Sequence, residues 1–295
     1  MILNKLYEKN LLHMPKWLLS NTCYVAKMGS QAYAVNTDDS DLDVYGFCIP
    51  PKEMVFPHLT GHIPGFGKQP ELFEQVQQHH IQDPNKTTTY DITIYSIVKY
   101  FNLCMGGNPN MTDSLFAPRN CLIHTTQIGE LVREKRHLFL SKQMWPKFKG
   151  YAFSELSKIR NKTQSSNQKR AETIAKAGYD TKNAYQSVRL LNEIEQIMTE
   201  HDLDLQRNRE QLKSIRRGEW SFEQFETYFV EKERALEDLY SRCTLPVYPD
   251  EAAIKEVLMQ CLEHHYGDIS TAVSRNPEID VVLRDIQSVL DRYSN

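Results

Sequence analysis

The chain has 295 residues, a formal net charge of −3 and a pI near 6.4, with 40% hydrophobic and 25% charged residues. That length gives room for one large domain or two small ones around a proper core, and the balance is ordinary for a globular protein. It excludes a membrane-spanning chain, since no apolar run nears the ~20 residues a spanning helix needs, and an overall basic nucleic-acid binder, although a local patch would suffice for that.

Residues 1 to about 20 read as a lead-in helix with Leu3, Leu6, Tyr7 and Leu11 on one face. Thr22–Met28 is rich in β-branched and aromatic residues and predicts a strand. Gly29-Ser30 breaks it. Glycine lets backbone approach a ligand closely, Ser30 adds a hydroxyl, and amides at a following helix start would favour phosphate. A polar turn, Asn36 to Ser40, leads into Asp41-Leu42-Asp43-Val44-Tyr45. Residues two apart in a strand share a face, so Asp41 and Asp43 project together while Leu42 and Val44 turn to a core. Two adjacent carboxylates repel and favour a shared cation. Magnesium takes oxygen ligands, commonly one or two carboxylates plus substrate phosphates, and a pair of such ions can activate an attacking oxygen and stabilise a leaving one.

A long polar excursion, 51–86, follows, with Gly61, Gly65 and Gly67 and a Gln-rich end at His79-His80. It reads as a functional lid or as an inert insertion, with both histidines solvated. Thr87–Tyr95 is the next strand. Asp91, its single acid, sits mid-strand, where an unpaired charge is costly, and is assigned as third metal ligand and general base. Ile94–Met105 predicts an amphipathic helix carrying Lys99, stopped by Gly106-Gly107-Asn108-Pro109-Asn110. Those asparagines can bond a base or ribose, or merely satisfy backbone groups at the helix stop. Asn120–His124 closes the sheet.

From Ile128 the pattern is helical. Met144–Lys162 carries Lys147, Lys149, Lys158, Arg160 and Lys162, followed by Lys169 and Arg170, either a solvated face or a contact for RNA or triphosphate. Asp180 caps a helix from Thr181 to Met198. Lys182 and Arg189 are seven apart and lie near one face of it, where they can hold a triphosphate or form ordinary salt bridges. A basic stretch, Arg207–Arg217, precedes helices starting at Ser221 and Asp250 and a closing helix, Asp280–Tyr293. The six cysteines lack metal-type spacing, and with no signal peptide they read as buried free thiols in a reducing cytoplasm.

Met28-Gly29-Ser30, ten residues, then Asp41-Leu42-Asp43-Val44 resembles the signature of the polymerase-β nucleotidyltransferase superfamily. The chain further resembles the RNA-repair-associated predicted nucleotidyltransferases of bacteria and phages over roughly residues 20–200. The 61–67 loop, Tyr90-Asp91-Ile92, Lys99, Gly107–Met111, Phe139–Lys142, Gly150–Ala152 and Tyr179–Leu191 carry that likeness, with Gln186 standing where the family pattern has a histidine. The resemblance implies a site role for Lys99, Asn108 and Lys182.

These readings predict an α+β fold: a small mixed-sheet catalytic domain, 1–125, and a helical domain, 126–295, closing the cleft. The expected reaction is transfer of a nucleoside monophosphate from an NTP to an acceptor hydroxyl, with an RNA or tRNA end as the acceptor the resemblance implies. Asp41, Asp43 and Asp91 are the metal ligands for two Mg2+ ions (Mn2+ as an alternative). Gly29, Ser30, Lys99, Asn108, Lys182 and Arg189 are the nucleotide contacts. Rival readings are adenylylation of a small molecule or protein, which the acidic pI favours, and a non-catalytic nucleotide- or RNA-binding module, ranked last because all three carboxylates are present.

Overall fold

The computed structural model describes residues 2–37, 40–56, 59, 61, 63, 65–69, 71–83, 85, 88–161 and 168–267. Asp38, Asp39, Lys162, the side chain of Lys169 and the expected Asp280–Tyr293 helix lie outside the described residues.

The lead-in is two helices, α1 (Ile2–Glu8) and α2 (Trp17–Asn21), separated where Asn10 turns left-handed and Pro15 follows. β1 (Thr22–Lys27) and β2 (Leu42–Cys48) pair antiparallel. The 51–86 excursion is not all loop. It holds a short helix, α3 (Lys52–Val55), and an edge strand, β3 (Gln75–Gln82), antiparallel to β4 (Thr89–Ser96). β3 escapes periodicity because only Val76 and Ile81 are apolar and a bulge breaks their alternation. β4 runs to Ser96, which caps α4 (Ile97–Met105), so the helix starts later than its sequence pattern suggests. Then come α5 (Pro109–Leu115), β5 (Leu122–Thr125) and α6 (Gln127–Glu134). The fold is α+β, with a mixed five-stranded sheet of order β3-β4-β2-β1-β5 in which β2 and β4 are the parallel pair.

One sheet face packs Val25, Val44, Ile81, Ile92 and Ile94 against Leu3, Leu6, Leu12 and Leu18. The other joins a larger core running from Tyr24 and Phe47 into the helices that follow: α7 (Met144–Asn161), α8 (Gln168–Ala177), α9 (Thr181–Glu200), α10 (Arg209–Arg216), α11 (Phe222–Arg242) and α12 (Glu251–Tyr266). Asp180 caps α9, accepting from the amides of Lys182 and Asn183. α9 is buried along most of its length, with α7, α10 and α11 packed round it. α11 opens with a reciprocal Ser221–Gln224 capping box. All six cysteines are free thiols and five are buried. No helix among the described residues is long and apolar enough to cross a membrane.

Gly46 pairs with Val25 of β1, beside the register shift between Thr22 and Tyr24. A Cβ there would lie 2.2 Å from the Tyr24 carbonyl oxygen, a backbone atom that cannot swing aside. Gly46→Ala is expected to destabilise the protein by about 1–3 kcal/mol through overpacking, read as a lowered urea midpoint at unchanged m-value.

Candidate active site

The site is built on the parallel pairing of β2 and β4. Their register sets Asp43 directly beside Asp91, and neighbouring strands lie about 4.8 Å apart. Asp41 is one residue ahead of β2 and exposed. Above them, β1 ends in a turn that the Met28 amide ties to the Asp43 carbonyl at 2.8 Å. Gly29 there has φ +57°, and a Cβ on it would fall 1.9 Å from Asp43 Oδ2. Both facts demand glycine. Residues 29–35 form hydrogen-bonded turns (Val35 N–H to the Ser30 carbonyl, 2.9 Å) in place of the expected helix start.

Burial, the Asp91 charge and, less strongly, the Asp41 charge push the Asp43 carboxyl up to about 6, with Lys182 and His79 pulling the other way. Clustered carboxylates that repel each other in this way fit a divalent cation, which takes oxygen ligands and would relieve the repulsion. Among the described residues no three acidic, histidine or cysteine side chains are already drawn together as a closed metal cluster. Asp91 is 21% exposed. One of its oxygens accepts the His80 amide at 2.7 Å, with His79 Nδ1 3.5 Å away.

The carboxylates open onto a cleft of about 790 Å³ that Gly29, Ser30 and Lys182 also line. Lys182 is exposed, and its amine pairs with no carboxylate among the described residues. The other cations on this wall are engaged. Arg170 bonds Asp180 and Asn183. Arg216 donates to the Val35 carbonyl at 2.5 Å and to Ser40 Oγ at 3.3 Å, strapping α10 to the chain that follows the Gly29 turn. Lys213 and Arg217 pair with Glu210 and Glu219. Gln186, Tyr45 and Asn110 add neutral polar lining. A second cavity of about 680 Å³, beside Trp220 and Tyr228, shares no lining residue with this cleft.

Three contacts expected from the sequence are placed differently. Arg189 lines the cleft but is 7% exposed, and its Nη1 is committed to Asp113 (2.6 Å) and Glu193 (2.9 Å). It also stacks over Tyr33 at 4.4 Å, whose hydroxyl donates to Asp113 at 2.6 Å. Burial pushes both the Asp113 and Glu193 carboxyls upward while Arg189 opposes the rise. Lys99 is outside the cleft and bonds Glu74 at 3.0 Å. Asn108 caps α5 by accepting the Met111 amide at 3.2 Å, and Asn110, not Asn108, reaches the cleft. Three cations of α7 are paired: Lys149 with Glu233 and Glu237, Lys158 with Glu155, Arg160 with Glu226. Arg170 and Arg216 escape assignment from sequence because each sits in a basic run whose members cannot be told apart without α9 and α10 in place.

A model of the RNA repair pathway DNA polymerase beta family matches residues 6–223. Among solved structures, a nucleotidyltransferase-like protein from Exiguobacterium sibiricum aligns over 88% of this chain and 78% of that one, at 9% identity and a TM-score of 0.30. No curated protein matches the chain.

The raised Asp43 carboxyl has a definite consequence for stability. The folded carboxyl keeps its proton to about pH 6, whereas the unfolded one loses it near 3.8. Stability is therefore lost as pH rises through that window. Without divalent ions, Asp43→Asn should be more stable than wild type at pH 7 by about 1–3 kcal/mol, with the difference vanishing below about pH 4 in chemical denaturation. Arg189→Met leaves two buried carboxyls facing each other and should cost about 3–5 kcal/mol. A raised KM for nucleotide at intact stability would instead make Arg189 a ligand contact.

Proposed function

Because the chain belongs to the RNA repair pathway DNA polymerase beta family, and so is a polymerase-β-type nucleotidyltransferase, we propose that it transfers a nucleoside monophosphate from an NTP to a hydroxyl at an RNA end. The observation that carries this reading is the in-register Asp43–Asp91 pair beneath the Gly29–Ser30 turn, facing Lys182 across one cleft.

Asp43 and Asp91, with Asp41 at the rim, would hold Mg2+ (or Mn2+), two ions once nucleotide is present. When bound, such ions would supply charge for the α-phosphate and would lower the pKa of the acceptor hydroxyl. Ser30 and the turn amides meet the β- and γ-phosphates, on a turn that the missing Cβ of Gly29 lets close over Asp43. Lys182 adds a point charge that offsets the departing pyrophosphate. Gln186 and Asn110 offer neutral donors and acceptors to base or ribose. Asp91, on the β3 side of Asp43, orients the acceptor oxygen in line with the leaving group. In this reading the sheet-bearing residues 1–125 carry the chemistry, residues 126–295 close the cleft, and the chain works in the cytoplasm.

Two of the α7 cations, Lys149 and Arg160, are taken by α11 glutamates, so in this reading the acceptor RNA is held chiefly at its terminus and less along a phosphate track. That same pairing, with the net charge of −3, is what favours the rival acceptor, a small molecule or protein hydroxyl.

The test supplies purified protein with Mg2+, each α-labelled NTP in turn, and RNA with free hydroxyl ends. Label enters RNA with wild type and falls by at least about a thousandfold with Asp41→Ala/Asp43→Ala, while Lys182→Gln raises KM for the NTP about tenfold, one charge-assisted contact. Pyrophosphate release without labelled RNA would move the acceptor to a small molecule or protein. No turnover of any NTP would leave a binding module.

A further inference from the structure

Edge strand β3 carries one residue too many. Gln78 pairs with Ile92 and Ile81 with Tyr90, so β3 takes three residue steps where β4 takes two. The extra residue lies at His79-His80, and His80 is left-handed at φ +55°, a conformation that costs a histidine backbone energy. A bulge that only blunts an edge needs no particular partner. Here the amide it frees lands on the single acid of β4. The His80 N–H donates to Asp91 Oδ1 at 2.7 Å, and the His79 and His80 rings place Nδ1 atoms 3.5 and 3.9 Å from the same oxygen. Among the described residues no other hydrogen bond reaches this carboxylate.

We infer that the bulge is a positioning device for Asp91. The rotated His80 amide holds one carboxylate oxygen on the β3 side and leaves the other available to an ion that Asp43 would share. His80 is a positioning residue that acts through Asp91, by its backbone and not its ring. This role rests on the metal-ligand reading of Asp91 given above. An unclamped side chain on a two-bond stem is free to turn either oxygen toward Asp43, whereas the amide, lying on the β3 side of β4, holds Oδ1 on the side away from β2. The amide removes that freedom before any ion arrives, as hydrogen bonds behind metal ligands commonly do. The excursion between β2 and β4 thereby gains a purpose, since it brings back a strand whose irregularity serves the neighbouring strand's carboxylate.

The test is Mn2+ binding to the full chain, followed by electron paramagnetic resonance of the free ion, with thermal unfolding as the control for folding. Deleting His80 restores a regular ladder and removes the donor. It should weaken Mn2+ about 10- to 100-fold. His80→Gly keeps the amide and suits the left-handed backbone, and as the conservative variant should hold affinity within about threefold. Replacing residue 80 with the α-hydroxy analogue of histidine, which keeps ring and chain length but exchanges N–H for oxygen, should reproduce the deletion's loss, and it decides the matter should the deletion unfold. In turnover, the loss should appear as a raised Mn2+ requirement with the KM for NTP little changed. Wild-type affinity in the ester variant would overturn the clamp and leave the metal site standing. Wild-type Mn2+ binding that is absent, or indifferent to Asp43→Ala, would overturn the metal-site reading and the clamp with it.

Discussion

Two carboxylates held side by side against their own repulsion are the constraint on which this structure turns. Parallel pairing of β2 with β4 puts Asp43 beside Asp91, half out of water, where their charges are poorly screened. Burial first, and the Asp91 charge after it, push the Asp43 carboxyl up. A carboxylate pair of this kind weakens the fold at neutral pH unless something positive is supplied, and stability is the usual cost of a site prepared for a ligand.

Much of the surrounding architecture serves that arrangement. The turn after β1 has to close over Asp43, and only glycine leaves room at position 29. Tyr33, from the same turn, is anchored to Asp113 of α5, and Asp113 to Arg189 of α9. Arg216 of α10 grips the chain at Val35 and Ser40. The sheet and the helices that follow it are thus joined by buried polar bonds at the rim of the cleft, and by one apolar core that continues from Tyr24 to Cys261. Arg189 lies on the right helix and faces the right way for a phosphate, yet two buried acids claim it first. A buried guanidinium satisfies the nearest carboxylates because leaving either alone would cost several kcal/mol. Lys182, on the exposed side of the same helix, is left to the cleft.

Legibility follows the physics of each signal. The strands that carry Asp43 and Asp91 can be read because strand pattern is local, while Asp41 falls one residue ahead of β2 and still lines the same cleft. The caps at Ser96, Asp180, Ser221 and Asp250 lie within a few residues of the amides they satisfy, and Asp180, Ser221 and Asp250 are legible from sequence as helix starts. β3 is hidden because a polar, bulged edge strand has almost no hydrophobic period. Lys149 and Arg160 of α7 look free in the sequence for a similar reason, since their partners on α11 lie some 70 to 90 residues further along the chain.

The sequence by itself determined the α+β class, the carboxylate pattern and the glycine-serine turn, because strand alternation, helix capping and turn chemistry act over two to four residues. Only the tertiary structure decided which cations face the carboxylates, that Asn108 caps α5 and Arg189 bonds Asp113 and Glu193, and that His80 reaches Asp91. Those outcomes depend on long-range pairings: a charge takes the nearest opposite partner in space, and nearness in space is set by how strands and helices pack.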